Sequence, residues 1–289
     1  MSLATIYRPA RCELVHTPDE LELMMATEAT ESSIQPAIQV TGVSKRYMQN
    51  GTSLAVLEDV DFVASDGEFV SIIGPSGCGK STLLNIIAGL DQPSSGAISI
   101  YGQTDNDRLG GVGYMQQRDL LMPWRSVLDN AIIGLEVQGV AKAEAQARAR
   151  ALLDDFGLSG FEDEYPHTLS GGMRQRAAFL RTVLADQEVF LLDEPFGALD
   201  ALTRSQIQEW LLGMWRRVQK TIILVTHDVD EAIFLSDRVY VMSSRPGRMT
   251  LVQDIDLPRP RHQEMVTQPE FVALKAQLLA SVRGEVASG

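Results

Sequence analysis

Cysteine, basic residues and long apolar runs are all scarce in this 289-residue chain. Two cysteines, Cys12 and Cys78, are too few for a disulfide framework, so a reducing cytoplasmic compartment is expected. Lysine and arginine total 25 against 38 aspartates and glutamates, and the formal net charge of −13 argues against a nucleic-acid partner, which needs a basic stripe. No window of about 18 apolar residues is found, so no transmembrane helix is expected. Acidic residues also interrupt any secretory pattern at the N-terminus.

The remaining composition is that of a folded protein. Hydrophobic residues make up 45% of the chain and charged residues 22%, which is typical of a soluble globular protein with one large domain or two small ones. Residues 1–36 show no clear periodicity and are predicted to be a flexible acidic extension, although residues 19–28 have a composition that also allows one or two turns of helix.

A glycine-rich segment between a predicted strand and a predicted helix gives the clearest chemical signal. Residues 74–82 carry the pattern G-x-x-x-x-G-K-[ST] at each fixed position. The apolar run Phe69–Ile73 precedes it and predicts a strand, and Leu83–Ala88 predicts a helix behind it. In this context the pattern binds phosphate. The predicted phosphate-binding residues are Gly74, Pro75, Ser76, Gly77, Cys78, Gly79, Lys80, Ser81 and Thr82.

The residue types in this loop fit a nucleoside triphosphate with Mg²⁺. Glycines let the backbone curl so that successive N–H groups point into one concavity. The helix that begins near Lys80 adds the positive end of its dipole. The Lys80 ammonium is predicted to contact the β- and γ-phosphates, and the Ser81 hydroxyl to ligate Mg²⁺.

Acidic and imidazole side chains follow two other apolar runs. Val189–Asp193 predicts a buried central strand of a parallel sheet and is followed by Glu194. Ligands bind at the carboxyl ends of such strands, so we assign Asp193 to the metal and Glu194 to polarising the attacking water. His227 follows the run Thr221–Thr226, and a γ-phosphate contact is at least as well supported there as a structural role.

Weaker signals come from three other places. Ser170, Gly171 and Gly172 open a predicted helix and could form a second anion site, with a plain serine cap as the alternative. Gln117 closes a strand-like run and could reach the metal or the attacking water. Tyr47 could stack on a nucleobase or could simply lie on a sheet face.

Together these segments resemble the nucleotide-binding subunit of an ATP-binding cassette (ABC) transporter over residues 37–250. Six separate motifs fall in the order of that family. Further segments resemble importers of nitrate, sulfonate, taurine and related small organic anions, and one of them also resembles importers of pyrimidine or thiamin precursors. The segments that carry this finer resemblance are Pro123–Trp124, Asp193–Asp200, Ser244–Arg248 and Leu169–Thr182.

The resemblance implies an α/β fold, a P-loop NTPase (RecA-like) core with an antiparallel β subdomain and an inserted helical subdomain at about residues 118–182. Residues 251–289 form a tail in which apolar residues from Phe271 to Val282 predict an amphipathic helix. The departures from the family are Met173, where glutamine is more common, and Gln116, where an aromatic residue is common. Neither change removes a catalytic group.

The resemblance also implies roles and partners. Tyr47 stacks on adenine, Gln117 links the active site to the helical subdomain, and Asp200 lies in a loop that crosses between subunits. Ser170–Gly172 would complete the active site of a second copy in a head-to-tail dimer with two buried ATP molecules. The chain is then a peripheral protein on the cytoplasmic face of the inner membrane, bound to a separate membrane permease that works with a solute-binding protein. The stretch Leu120–Trp124 is either part of the permease-docking surface or core of the helical subdomain.

Other functions remain as alternatives. A soluble ABC ATPase of DNA repair or translation usually carries a second cassette or a coiled-coil insertion, and neither is present. A GTPase or small-molecule kinase would leave the Ser170 segment unexplained. A non-hydrolysing ATP clamp would not need Glu194 and His227. Within the transporter family, an exporter or lipoprotein-extrusion ATPase is the nearest alternative.

Overall fold

Two β-sheets and a set of helices form the part of the chain that the computed structural model describes, namely residues 35–49, 51–104, 108–197 and 199–288. These residues fall in one unit, Gln35–Gly289. The predicted N-terminal extension lies almost wholly outside the described residues. Among the described residues, no helix combines the length and the apolar character needed to cross a membrane.

The strands divide into a small antiparallel sheet and a larger sheet. The small sheet has the order β2-β1-β4, and the larger one has the order β5-β6-β7-β3-β8-β9. The larger sheet is parallel except for β9. The strands are β1 (Ile38–Gln49), β2 (Thr52–Ala64), β3 (Phe69–Ile73), β4 (Ser95–Ile100), β5 (Gly113–Met115), β6 (Val189–Asp193), β7 (Thr221–Val225), β8 (Arg238–Met242) and β9 (Met249–Asp254).

The central strands of the larger sheet are apolar because both of their faces are covered. Every residue of β3, β6 and β7 is buried, as expected for parallel strands between helical layers. Their carboxyl ends meet at one edge, where ligands bind in open α/β sheets. The predicted α/β fold is therefore confirmed, and the phosphate loop, Glu194 and His227 all follow strands at this edge.

The sequence predicts Val239–Met242 as the last strand, but the structure adds β9 after it. Residues 249–254 pair antiparallel with β8 at the border of the sheet. Partly buried and exposed residues alternate along this strand, because one face packs on the core and the other faces solvent. The weak apolar signal of such an edge strand explains why it was not predicted.

Helix α1 (Lys80–Ile87) follows the phosphate loop, and a helical region separates β5 from β6. The sequence predicts that Ser126 caps a helix that continues to Gly139, and Ser126 does cap the first helix of that region. The region contains α2 (Val127–Ala131), α3 (Ile133–Val137), α4 (Lys142–Arg150), a 3₁₀ turn (Pro166–Thr168) and α5 (Gly171–Leu184).

Two predicted helices in this region are shorter than expected. The helix predicted from Ser126 to Gly139 breaks at Ile132, whose φ of −90° and ψ of 0° are not helical. Ile132 is fully buried, and Gly134, a poor helix former, follows in the next turn. The composition of residues 141–156 predicts a helix that ends at Gly157, but the helix ends at Arg150 and residues 151–157 form turns.

Three helices complete the fold. Helices α6 (Ala201–Val218) and α7 (Val229–Leu235) flank β7 in the chain, and α8 (Pro269–Ser288) lies in the tail, where the sequence predicted a helix. A 3₁₀ turn at Gln263–Thr267 leads into α8. Phe271 and Leu278 of α8 are buried in the same apolar cluster as Ile233 and Leu235 of α7. The tail helix therefore packs on the core beside the segment that follows His227.

Candidate nucleotide site

The phosphate loop connects β3 to α1 at the carboxyl edge of the larger sheet. Gly79 precedes α1 with a φ of 117°, a conformation that other residues rarely adopt, and no side chain caps this helix. The amide groups of the first turn are thus left for a ligand, as at other helix N-termini that bind phosphate.

Close backbone packing holds this loop. A Cβ atom on Gly74 would lie 2.6 Å from the Met242 carbonyl oxygen, and one on Gly247 would lie 2.4 Å from the Cys78 carbonyl oxygen. The Arg245 guanidinium donates to the Gly77 carbonyl oxygen at 3.1 and 2.7 Å. The end of β8 and the turn after it therefore pack directly against the phosphate loop.

The Lys80 ammonium lies inside the curl of the loop. It donates to the carbonyl oxygens of Gly74 at 2.8 Å and Pro75 at 2.9 Å, and the residue is buried. The positive charge is therefore already placed among the amides that would face a triphosphate.

Asp193 and Ser81 form a pair beside the loop. Ser81 lies beside the Asp193 carboxylate, and Asp193 is only 3% exposed. Burial raises the pKa of Asp193; the Ser81 hydroxyl lowers it, the charge of Glu194 raises it and Lys80 lowers it. Among the described residues, Asp193 Oδ1 has no hydrogen-bond partner although it is buried. A buried carboxylate oxygen without a donor, next to a hydroxyl, fits a hard divalent cation.

Glu194 has contacts to both of the other predicted catalytic side chains. Its φ is 49°, and its backbone N–H donates to the Val225 carbonyl oxygen at 2.8 Å, which ties it to β7. The Gln117 Nε2 donates to Glu194 Oε2 at 3.2 Å, and His227 Nδ1 lies 3.4 Å from Glu194 Oε1. The structure thus brings together a carboxylate, an amide and an imidazole from the ends of three neighbouring strands.

A cleft of about 300 Å³ is lined by part of the phosphate loop together with Gln117 and Glu194, whereas His227 and Asp193 are not among its lining residues. Two of its lining residues, Val56 and Arg245, were not predicted as site residues. Val56 lacks a chemical signal in the sequence, whereas Arg245 lies in Ser244–Arg248, a segment that the sequence analysis used only for its resemblance. The lining residues are Val56, Ser76, Gly77, Gly79, Lys80, Ser81, Thr82, Gln117, Glu194 and Arg245.

Tyr47 lies outside the lining of this cleft. Its hydroxyl donates to Asp91 Oδ2 at 2.5 Å, and Lys45 Nζ lies 4.8 Å from its ring centroid. Burial and the Asp91 carboxylate raise the pKa of Tyr47 to about 12. Tyr47 is 39% exposed. Lys45 and Asp91 were not predicted as its neighbours, because they are distant from each other in the chain.

The Ser170 segment also lies outside the cleft lining among the described residues. Ser170 precedes α5, and its Oγ accepts from the Met173 N–H at 3.2 Å, so the expected cap is present. Ser170 and Gly171 are exposed, and Gly172 is partly exposed. Asp200 caps α6 by accepting from the Thr203 N–H at 3.0 Å, a bond that lowers the pKa of Asp200. Within one chain, the structure therefore does not place these residues with the phosphate loop.

Comparisons with known proteins show the family of the chain. The family model described as ABC transporter matches residues 57–197. A nitrate import ATP-binding protein of Synechocystis sp. is 39% identical over 253 residues, covering 86% of this chain and 95% of the relative. An aliphatic sulfonates import ATP-binding protein of Bacillus cereus is 42% identical over 242 residues, covering 84% and 94%. A formylaminopyrimidine import ATP-binding protein of Halalkalibacterium halodurans is 40% identical over 232 residues, covering 80% and 90%.

A solved structure has the same fold. It is a dimeric post-hydrolysis state of the ATP-binding cassette MJ0796 bound to ADP and Pi, with 30% identity and a TM-score of 0.71, covering 76% of this chain and 100% of that one. The phosphate loop, the carboxylates at the end of β6 and the histidine after β7 lie at the carboxyl ends of parallel strands, where ligands bind in open α/β sheets. From the sequence identity, the shared fold and this geometry together, the chain belongs to the ATP-binding proteins of ABC transporters.

Proposed function

We propose that this chain is the ATP-hydrolysing subunit of an ABC importer for a small anion such as nitrate, a sulfonate or taurine. The observation that carries the proposal is the Glu194 carboxylate, held between Gln117 and His227 beside the phosphate loop. Relatives named as importers, at about 40% identity over nearly their whole length, support the transport function.

ATP binds with its phosphates in the loop Gly74–Thr82. The loop amides and the dipole of α1 face the phosphate oxygens, and Lys80 adds a point charge. To contact the phosphates, the Lys80 ammonium replaces its hydrogen bonds to the carbonyl oxygens of Gly74 and Pro75 with bonds to phosphate oxygens. Tyr47 provides the ring face on which adenine stacks.

Mg²⁺ fits the Ser81–Asp193 pair, with Gln117 as a third oxygen ligand. When bound, the ion would neutralise negative charge on the phosphates. The buried Asp193 Oδ1 supports this assignment, because an ionised carboxylate needs a cation or a donor in such a place.

Glu194 polarises the water that attacks the γ-phosphate and accepts its proton. His227 lies on the other side of this carboxylate and contacts the γ-phosphate. A general base of this kind contributes about 10²- to 10⁴-fold to the rate. Both side chains come from strand ends, so their separation is fixed by the pairing of β6 and β7.

A second copy of the chain completes each site. Ser170, Gly171, Gly172 and Asp200 are placed away from the cleft of their own chain, and a head-to-tail dimer brings them to the ATP of the partner. The dimeric cassette with ADP and Pi supports this arrangement. Hydrolysis removes charge that both chains share, so the dimer opens.

The partners of this dimer are membrane permease subunits and a solute-binding protein, and the chain is peripheral on the cytoplasmic face of the membrane. We place the cassette at residues 37–250, with a helical subdomain at about 118–182, the extension at 1–36 and the tail at 251–289. Leu120 and Trp124 are exposed on the helical region, which supports a docking surface there.

One experiment tests this function directly. A strain lacking the chain is complemented with the unchanged protein or with Glu194→Gln, and uptake of nitrate, taurine and a formylaminopyrimidine is measured beside ATPase activity of the complex that co-purifies from its membranes. We expect the strain to take up an anion with the unchanged protein and to lose this uptake with Glu194→Gln. Export of a solute, or normal uptake with Glu194→Gln, would overturn the proposal.

A further inference from the structure

Within the tail, residues 255–284 make several polar contacts with the segment that carries His227. Helix α7 begins two residues after His227 and is only seven residues long. Such a short helix has little stability of its own and depends on contacts at its ends. Asp228 caps its N-terminus by accepting from the N–H groups of Asp230 and Glu231. The tail supplies the other contacts.

Arg261 fixes the carboxyl end of α7. Its side chain is 4% exposed, and it lies where the helix dipole is negative and the last carbonyl groups lack helical partners. The two terminal nitrogens share five backbone carbonyl oxygens, some on α7 and some in the tail itself. The acceptors are Ile233 at 2.8 Å, Phe234 at 3.2 Å, Ser236 at 2.7 Å, Ile255 at 3.1 Å and Leu257 at 3.3 Å.

Lys275 of α8 contacts the other end of the same helix. Its ammonium lies 2.7 Å from Asp230 Oδ2 in the first turn of α7. Both side chains are more than a third exposed, so this ion pair adds little stability. It nevertheless gives α7 a second contact with the tail, at the N-terminal end of the helix.

A chain of buried polar groups connects the tail to the two residues that flank His227. Gln263 Nε2 lies 3.4 Å from Gln208 Oε1, and Gln208 Nε2 lies 3.3 Å from Glu231 Oε1. The Thr226 hydroxyl donates to Glu231 Oε2 at 2.6 Å and accepts from the Asp228 N–H at 3.1 Å. Glu231 therefore orients the hydroxyl that closes the turn around His227.

Core packing alone does not explain a buried glutamate at position 231. Glu231 is 7% exposed, and a buried carboxylate is usually less stabilising than an apolar side chain of similar size. Arg204 lies 3.7 Å from Glu231 and is itself one-third exposed, so it compensates the charge only in part. A costly polar group next to a catalytic turn is better explained by the orientation that it provides.

We propose that the tail braces α7 and that Glu231 is the positioning residue through which this brace sets the place of His227 at the γ-phosphate. The inference rests on the proposed function, because it assigns the tail to the same ATPase site. A displacement of about 1 Å at a catalytic group can cost about 100-fold in rate. Loss of one brace contact is therefore expected to lower kcat by about 10-fold.

The test compares full-length variants by two readouts. Glu231→Ala removes the acceptor of Thr226 and Gln208, Gln263→Leu removes the bond to Gln208, and Arg261→Lys removes the guanidinium that spans five carbonyl oxygens. Glu231→Gln keeps an acceptor for Thr226, and Arg283→Gln on the exposed face of α8 is the control. Steady-state ATPase gives kcat and KM. Histidine ring resonances in NMR spectra report the surroundings of His227 in the nucleotide-free protein, with the exposed His167 as internal reference and His227→Ala for assignment.

The expected result is a fall in kcat with Glu231→Ala, Gln263→Leu and Arg261→Lys, at a KM for ATP within about twofold of the unchanged protein, because ATP is held by the phosphate loop. Glu231→Gln should restore most of kcat. The His227 resonance should shift in the three variants, whereas that of His167 should not. Folded variants with unchanged kcat and an unmoved His227 resonance would overturn the inference. If the unchanged protein does not hydrolyse ATP, the proposed function fails, and the resonances still decide whether the tail positions His227.

Discussion

The protonation of Glu231 gives a prediction about stability against pH. Burial raises the pKa of Glu231 from its ordinary value of 4.5 to about 7; the Thr226 hydrogen bond opposes this, the charge of Asp228 adds to it, and Arg204 and His227 lower it. Because the folded-state pKa is above the unfolded one, the favourable contribution is present below pH about 4.5 and is lost as the pH rises to about 7.

The change proposed is Glu231→Gln, which is neutral at every pH and keeps a hydrogen-bond acceptor. A shift of this size corresponds to about 3 kcal/mol, most of which falls between pH 5 and 8. The variant should therefore gain about 2 to 3 kcal/mol relative to the unchanged protein over that interval. In a domain of this size, the melting temperature of Glu231→Gln should therefore rise by roughly 4–12 °C relative to that of the unchanged protein between pH 5 and pH 8.

The assay is thermal unfolding of both nucleotide-free proteins in a buffer series at constant ionic strength. Glu209→Gln, an exposed substitution on α6, is the control. Its melting temperature should depend on pH in the same way as that of the unchanged protein. A difference between Glu231→Gln and the unchanged protein that stays constant from pH 5 to 8 would refute the reasoning. It would mean that the carboxylate is ionised in the fold without cost.

Three further substitutions test the site. Glu194→Gln should keep ATP binding but lower turnover at least ~10²-fold, and near-normal hydrolysis by the purified variant would contradict the role of Glu194. Ser170→Arg should abolish ATPase activity and leave ATP binding to the monomer intact, whereas loss of monomer binding, measured by titration with a fluorescent nucleotide, would argue against a site shared by two chains. Gly74→Ala places a Cβ atom 2.6 Å from the Met242 carbonyl oxygen and should cost about 1–3 kcal/mol of stability, so an unchanged melting temperature would contradict the packing described.

The sequence predicted those parts of the site whose chemistry is local. The phosphate loop, Asp193 with Glu194, and His227 each follow an apolar run, so their place at the sheet edge follows from strand order alone. Ser170 and Asp200 were predicted near helix starts, and the structure shows both as caps. Their roles in a two-chain site stay predictions.

Long-range contacts could not be predicted in the same way. Lys45 in β1 and Asp91 in the turn after α1 meet beside Tyr47, and Arg245 reaches Gly77 from a turn 168 positions away. Glu231 has the same local sequence signal as an exposed helical glutamate, because only the packing of α6 and the tail buries it. The break at Ile132 and the edge strand β9 were missed because tertiary packing overrode weak local preferences.

The glycine contacts beneath the phosphate loop have a thermodynamic consequence. Ordering the backbone of a free loop residue costs roughly 1–2 kcal/mol of conformational entropy. Here the close packing at Gly74 and Gly247 holds the loop against its neighbours, so the loop loses this conformational entropy on folding, before ATP binds. The free energy of phosphate binding is then available for affinity and for closing two chains around the nucleotide.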